Sequence, residues 1–149
     1  MKFISWLISL CWSTVVIAQP NPVNWAFSAK QTGSKTFEIV MKASIAPGWH
    51  LYSQQQPADA IAIPTEVVWN KNPLIQFKGK IREVGKMERY KDATLGVTAH
   101  QYSTQVSFVQ VVELKAKVKT ALSGTVEFQT CDDEKCLPPK KIPFTIPLK

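Results

Sequence analysis

Hydrophobic and polar residues alternate along most of this chain, and the alternation predicts β-strands. In "KTFEIVMKASI" every second residue is apolar, which places Phe37, Ile39, Met41, Ala43 and Ile45 on one face. Similar runs, rich in β-branched and aromatic residues, recur in "TEVVWN", "LIQFKGKI", "GVTAHQY", "TQVSFVQVVEL", "GTVEFQT" and "KIPFTIPL". No helical stripe stands out. We therefore predict an all-β chain of about eight or nine short strands.

Turn signals separate these runs, and their spacing is typical of an immunoglobulin-like antiparallel β-sandwich. The Cys…Trp…Cys pattern of antibody domains is absent, so the prediction concerns the architecture alone. A domain of roughly 130 residues can bury a substantial apolar core. We therefore expect the fold to stand without help from a disulfide.

The first residues differ from the rest of the chain. "MKFISWLISLCWSTVVIAQ" has one positive charge, an apolar run over residues 3–17 and a small residue, Ala18. A membrane-spanning helix needs about 20 apolar residues, and serines and a threonine interrupt this shorter run. We predict a signal peptide over residues 1–18 and one β-sandwich domain over residues 19–149. The expected location is the periplasm or another exported compartment, with no membrane-spanning segment after cleavage.

The net charge of +7 comes mainly from scattered lysines. Only "LKAKVKT" shows a pattern, with Lys115, Lys117 and Lys119 at every second position. On a strand this spacing forms one solvated face, and lysines of this kind protect an exposed sheet edge. We therefore predict a lysine-protected edge strand here and expect no nucleic-acid partner.

The cysteines carry the candidate chemistry. Of three cysteines, Cys11 leaves with the signal peptide, and the exported chain keeps Cys131 and Cys136 in "QTCDDEKCLPPKKIPF". An even number of cysteines in an oxidising compartment favours a disulfide. The two strands that bracket the pair place it in the connection at one tip of the sandwich, where another protein can reach it.

The cysteine pair has three possible roles: a structural disulfide, a metal site or a redox centre. A structural disulfide closing so short a loop stabilises the fold by only about 2 kcal/mol. A zinc site would need four ligands, and only His50 and His100, which show no ligand spacing, could join the cysteines. A redox centre needs a disulfide that a partner thiolate can reach. We expect no metal and no other cofactor, and the residues alone leave the structural and the redox interpretation open.

Three stretches resemble one known family. "FQTCDDEKCLPPKKIPF", "PGWHLYS" and "GKMERYKDATLGVTAHQY" are similar to segments of the N-terminal periplasmic domain of DsbD, the thiol:disulfide interchange protein. The resemblance covers essentially all of the mature chain and implies an immunoglobulin-like fold. It implies that Cys131 and Cys136 are the redox pair, with Cys136 forming the mixed disulfide and Cys131 resolving it. His50 and Tyr52 match a family segment that the resemblance associates with the cysteines, but the sequence does not place them at the site.

The resemblance also implies partners. Such domains receive reducing equivalents through a membrane-embedded donor and pass them to exported thioredoxin-fold proteins, each step being a thiol-disulfide exchange. Because the chain ends at Lys149, soon after the last predicted strand, we expect the donor to be encoded separately. The function predicted is a protein-disulfide reductase-type electron shuttle. The alternative is a non-catalytic binding or scaffold domain with a structural disulfide.

Two departures from the family concern the cysteine loop and its cover. The loop between Cys131 and Cys136 has four residues, one fewer than in the best known members. The stretch "REVGK" has Val84 where those members have an aromatic ring that shields the disulfide. Tyr90 and Leu95 are the candidates to cover the pair instead.

Overall fold

The computed structural model describes residues 21–94 and 96–149, which form β-strands and connecting loops. The predicted signal peptide and Leu95 lie outside these residues. In the described part of the chain, no helix is long and apolar enough to cross a membrane. The strands are β1 (Val23–Gln31), β2 (Thr36–Ile45), β3 (His50–Tyr52), β4 (Glu66–Trp69), β5 (Ile75–Gly85), β6 (Glu88–Lys91), β7 (Thr98–Tyr102), β8 (Gln105–Leu114), β9 (Thr120–Phe128), β10 (Thr130–Cys131) and β11 (Lys140–Leu148).

These strands form three antiparallel sheets. The large sheet has the order β1-β2-β8-β5, the small sheet β11-β9-β4, and the end sheet β10-β3-β7-β6. The large and small sheets share one core, in which the rings of Trp25 and Phe128 lie 5.4 Å apart and those of Phe27 and Phe144 lie 4.8 Å apart. The fold is therefore an all-β, immunoglobulin-like sandwich, as predicted.

The alternating pattern of the sequence is confirmed on β2. Phe37, Ile39, Met41, Ala43 and Ile45 are all buried, while the residues between them are partly or fully exposed. The central strands β8 and β9 also send alternate apolar residues into this core. Removing these side chains from water is the main favourable contribution to folding, so the period of the sequence sets which face of each strand turns inward.

The prediction omitted three strands of the end sheet. β3, β6 and β10 contain three, four and two residues, respectively. A segment this short shows no clear period, and tertiary pairing decides whether it becomes a strand. The end sheet is the part of the fold that positions the cysteines.

The prediction of an edge strand at "LKAKVKT" is wrong. Lys115, Lys117 and Lys119 lie in the connection that takes the chain from β8 in the large sheet to β9 in the small sheet. A segment that crosses between sheets cannot continue a ladder with either one, whatever its alternation. The true edges are protected differently, since β5 presents exposed lysines and β11 carries outward-facing Pro143 and Pro147.

Candidate functional site

One face of the end sheet brings Cys131 next to residues that are distant in sequence. In the ladder Cys131 lies opposite His50, and Tyr52 lies opposite Gln101. Residues directly opposite each other in an antiparallel pair project from the same face. The same rule adds Ala99 and Tyr90, which are paired between β7 and β6. Cys131, Tyr52 and Ala99 pack together there as a small cluster separate from the main core.

This face forms the floor of an open cavity of about 500 Å³. The loop of residues 132–136 lines one side, and residues 61–63 and 97–98 line the others. Ile61 and Ile63 belong to this lining although 71% and 39% of their surfaces are exposed. The cavity is therefore accessible and partly apolar, and both cysteines border it.

Cys131 and Cys136 form a disulfide, as predicted, but their environments differ sharply. Cys131 is 3% exposed and packs in the small cluster, whereas Cys136 is exposed to solvent. The prediction of an accessible pair at a loop tip therefore holds for one cysteine of the two. Disulfide exchange proceeds by attack of a thiolate on one sulfur and departure of the other, and of these two cysteines only Cys136 is exposed to an approaching thiolate.

Backbone hydrogen bonds close the cysteine loop independently of the sulfur–sulfur bond. Asp132 Oδ1 accepts hydrogen bonds from the N–H groups of Glu134 and Lys135, at 2.9 and 2.7 Å. The N–H of Leu137 donates to the carbonyl of Thr130 at 2.9 Å. The N–H groups of Glu134 and then Lys135 lower the pKa of the Asp132 carboxyl below its ordinary value, because they stabilise the carboxylate. These hydrogen bonds do not involve the sulfurs, so we expect the loop to keep its shape when the disulfide is reduced.

His50 contacts the same loop from the neighbouring strand. Its Nε2 lies 3.4 Å from Asp133 Oδ1, and its Nδ1 lies 3.2 Å from Ser103 Oγ. The Ser103 hydroxyl in turn donates to Glu88 Oε2 at 2.6 Å. The His50 side chain is 20% exposed and that of Asp133 is 90% exposed. A chain of polar contacts thus runs from β6 through the imidazole to the cysteine loop.

Glu83 anchors the end sheet to the large sheet. Its carboxylate accepts hydrogen bonds from the Ser53 hydroxyl at 2.7 Å, the Gln54 N–H at 2.7 Å and the Tyr102 hydroxyl at 2.6 Å. Burial, followed by the hydrogen bond to Glu83, raises the pKa of Tyr102 well above its ordinary range. This anchor holds β3 and β7, and with them the floor of the cavity, against the end of β5.

The structure separates the candidates for a cover over the disulfide. Val84, which the resemblance places where family members have an aromatic ring, is 52% exposed on β5 and is absent from the described residues that line the cavity. Tyr90 is 50% exposed and lines the cavity together with both cysteines. Leu95 lies outside the described residues. Tyr90 as the cover stays a prediction, now with a position that suits it.

The two histidines considered as zinc ligands lie on opposite faces of the end sheet. His50 shares the face of Cys131, whereas His100 alternates with Ala99 and Gln101 and projects from the other face. The Nδ1–H of His100 donates to the carbonyl of Gln55 at 2.8 Å. Within residues 21–94 and 96–149, no group of three or more His, Cys, Asp or Glu side chains could hold a metal ion.

Sequence reasoning missed the wall of the cavity and the contacts of His50. The wall comes from "AIAIP", residues 60–64, where two isoleucines follow Pro57 in a segment too short for a predicted strand. Exposed isoleucines next to a cavity indicate a binding surface, but the sequence alone does not show that these two are exposed. Ser103 and Glu88 had no signal, because side-chain contacts across three strands leave no trace in local sequence.

The chain matches one known protein family over most of its length. Residues 17–146 match the family described as "Thiol:disulfide interchange protein DsbD, N-terminal". No curated protein matches the chain.

Two solved structures share the fold. The first is the N-terminal periplasmic domain of ScsB from Proteus mirabilis, at 17% identity and a TM-score of 0.53. The alignment covers 85% of this chain but only 44% of that chain. The second is the complex between the DsbD N-terminal and PilB N-terminal domains from Neisseria meningitidis, at 14% identity and a TM-score of 0.52, covering 89% of this chain and 88% of that one. At these identities the likeness concerns the fold alone.

Proposed function

Because the chain belongs to the family of DsbD N-terminal domains, we propose that it is an exported thiol-disulfide exchange domain that uses the Cys131–Cys136 pair. The observation that carries the proposal is the disulfide between a buried and an exposed cysteine at the border of an open cavity. The family and the disulfide both fit exchange chemistry. The direction of electron flow and the partners are part of the proposal.

The proposed cycle has two halves, each an exchange through a mixed disulfide. A donor thiolate attacks the sulfur of Cys136, the bond to Cys131 breaks, and Cys131 leaves as a thiolate that takes up a proton. The donor's second thiol then displaces Cys136, which leaves the donor oxidised and this pair reduced. In the second half, the Cys136 thiolate attacks an acceptor disulfide. Cys131 then loses its proton and closes the ring, so two electrons and two protons reach the acceptor.

The proposed partners are exported thioredoxin-fold proteins as acceptors and a membrane-embedded protein as the donor. The proposed location is the periplasm, after removal of residues 1–18. The relative from Neisseria meningitidis forms a complex with a PilB N-terminal domain, which supports a protein as the partner. The exposed isoleucines beside the cysteines, Ile61 and Ile63, support docking of a partner's apolar surface next to Cys136.

The reduction potential of the pair is the first test. The exported chain is equilibrated in glutathione or dithiothreitol buffers, and its fold is followed by circular dichroism in the same samples. We expect a potential above roughly −300 mV, the upper bound typical of structural disulfides, with the fold retained on reduction. A lower potential, or unfolding on reduction, would assign the protein to the alternative, a binding or scaffold domain with a structural disulfide.

Single cysteine variants test the assignment of roles. In Cys131→Ser the exposed Cys136 remains but cannot be resolved, so we expect a stable mixed disulfide with an acceptor. In Cys136→Ser only a buried thiol remains, so we expect transfer to be abolished with little change in folding. A Cys136→Ser protein that still reduces its acceptor would refute the proposed roles.

A further inference from the structure

The buried cysteine needs a proton acceptor in one half of the cycle and a proton donor in the other. A thiol with an ordinary pKa of about 8.5 is only about 3% ionised at pH 7. Burial in an apolar cluster disfavours the charged thiolate further. Cys131 is buried in this way against Tyr52 and Ala99, so ring closure by Cys131 is the step for which a neighbouring base would matter most.

His50 is placed to serve this thiol. It is the direct ladder partner of Cys131, and such partners have Cβ atoms about 4.5–5.5 Å apart on the same face. Its ring lines the cavity that both cysteines border, and its Nε2 reaches the cysteine loop at Asp133. No other histidine of the described chain shares this face, because His100 projects from the opposite side.

The contacts of Ser103 determine which nitrogen of His50 exchanges a proton. The Ser103 hydroxyl has one hydrogen, and it donates that hydrogen to the carboxylate of Glu88. The oxygen of Ser103 is then an acceptor toward His50, so Nδ1 carries a hydrogen and donates it. Nε2, on the side of the cysteine loop, is therefore the nitrogen left to exchange a proton. Because Asp133 Oδ1 can only accept, its contact with Nε2 is a hydrogen bond when Nε2 carries that proton.

We propose that His50 Nε2 accepts the proton of the Cys131 thiol during ring closure and returns it when Cys131 is the leaving group. Ser103 and Glu88 are the positioning residues that hold the ring in this orientation. The inference rests on the proposed exchange function and names the residue that governs its resolving step.

The step balances in both directions. During ring closure the proton moves from Cys131 to Nε2, the Cys131 thiolate attacks the sulfur of Cys136, and the partner departs as a thiolate. The partner's sulfur is thereby reduced, the Cys131–Cys136 bond forms, and the imidazolium gives its proton to solvent or to the departing thiolate. When a donor attacks Cys136 instead, the imidazolium protonates the departing Cys131 thiolate.

Several charged or titratable groups lie around the cavity that the His50 ring borders. Asp133 contacts the ring directly, and Glu88 contacts it through Ser103. The other titratable or charged groups that line the same cavity are Tyr52 on β3, Tyr90 on β6, Asp92 after β6, and Asp132, Glu134 and Lys135 in the cysteine loop.

The test separates the two chemical steps with the chromogenic disulfide DTNB. The reduced full exported chain is mixed with DTNB in a stopped-flow instrument, and released thionitrobenzoate is followed by its colour. The first release reports attack by Cys136, and the second reports ring closure by Cys131. Thionitrobenzoate leaves without needing a proton, so the second phase reports the ionisation of Cys131 alone.

We expect the second phase of the unchanged protein to accelerate between pH 5 and 8, the range in which imidazoles titrate. In His50→Gln this inflection should disappear, so that the rate rises only toward the thiol range near pH 8.5 and falls about tenfold at pH 7. Ser103→Ala retains the imidazole but loses its anchor, so we expect a smaller slowing of the second phase. His100→Gln is the matched control and should change neither phase.

Each outcome decides a different point. An unchanged second phase in His50→Gln, or an equal slowing at every pH, would overturn the role of His50 while leaving the exchange function standing. Failure of the unchanged protein to release the second thionitrobenzoate would refute the proposed function itself. If circular dichroism shows that His50→Gln does not fold, Ser103→Ala decides, because an unchanged second phase there would overturn the inference.

Discussion

The sandwich core and the end sheet are built on different principles. The core is filled from two sides, with Phe108 and Leu122 both 0% exposed and aromatic rings packed between the sheets. One face of the end sheet packs into the core through residues such as Leu51 and Tyr102. Its other face carries only the small cluster and opens to the cavity. Buried apolar contacts are therefore concentrated in one region, whereas the other leaves Cys136 exposed.

The difference matters for the proposed function, in which the disulfide opens and closes. A bond that holds a core together cannot be reduced without loss of structure. Here the bond closes a loop of four residues that already has hydrogen bonds of its own, two of them to the Asp132 carboxylate, and Cys131 belongs to the small cluster rather than to the core. Three predictions test whether the core supplies the stability of the fold and the end sheet contributes little to it.

The largest expected effect is in the core. Replacing Phe108 by Ala should lower the free energy of unfolding by about 3–5 kcal/mol, because it leaves a cavity among fully buried side chains. Urea unfolding measures this loss. The matched control is Tyr90→Ala at the cavity, where the ring is half exposed and the loss should stay below about 1 kcal/mol. Equal losses for the two variants would show that the regions are not separated.

The anchor between the regions comes next. Tyr102→Phe removes a hydrogen bond to the Glu83 carboxylate and should cost about 1.5–3 kcal/mol at neutral pH. The raised pKa of Tyr102 also determines whether stability rises or falls with pH. Above pH 10 an unfolded tyrosine loses its proton while the folded one keeps it, so this group's contribution to stability falls as pH rises.

Tyr102→Phe should therefore show a shallower loss of stability than the unchanged protein above about pH 10. Thermal unfolding at a series of pH values measures both slopes. Tyr90→Phe, which removes a hydroxyl from a half-exposed ring, should match the unchanged protein at neutral pH. Parallel slopes for Tyr102→Phe and the unchanged protein would contradict the assigned hydrogen bond.

The smallest effect concerns the shape of the cysteine loop. Asp132→Ala removes the acceptor of two backbone N–H groups, so the reduced thiols should be held together less well. The reduction potential should then become less negative, because the disulfide forms less readily. Asp133→Ala removes the same charge and the contact with His50 but leaves the turn in place, and it serves as the control.

The difference between the unchanged protein and Asp132→Ala should shrink in acid. The pKa of Asp132 is lowered, so the carboxylate and its two hydrogen bonds persist at neutral pH and are lost as pH falls through that lowered pKa. Reduction potentials measured at neutral and at acid pH check this. Identical shifts for Asp132→Ala and Asp133→Ala would show that charge, and not the turn, controls the potential.

Much of the fold could be predicted from local pattern. The alternation on β2 identified its buried face, and the motif around Cys131 and Cys136 identified the family, a resemblance that the family match confirms. The alternation of Lys115, Lys117 and Lys119 led to an error, since the same pattern occurs in a crossing segment. Alternation of apolar and polar residues predicts a strand reliably only where one face of that strand is buried.

The sequence by itself determined the β-sandwich, the cysteine pair at a hairpin tip and the family to which the chain belongs. Only the tertiary structure decided that Cys131 is buried and Cys136 exposed, that His50 lies beside Cys131, and that Ile61 borders the cavity. The physical reason is the sequence separation over which each kind of interaction acts. Apolar periodicity and turn chemistry act over a few neighbouring residues, whereas the exposure of a sulfur and the partner of an imidazole depend on strands that are far apart in the chain and meet only when the sheets form.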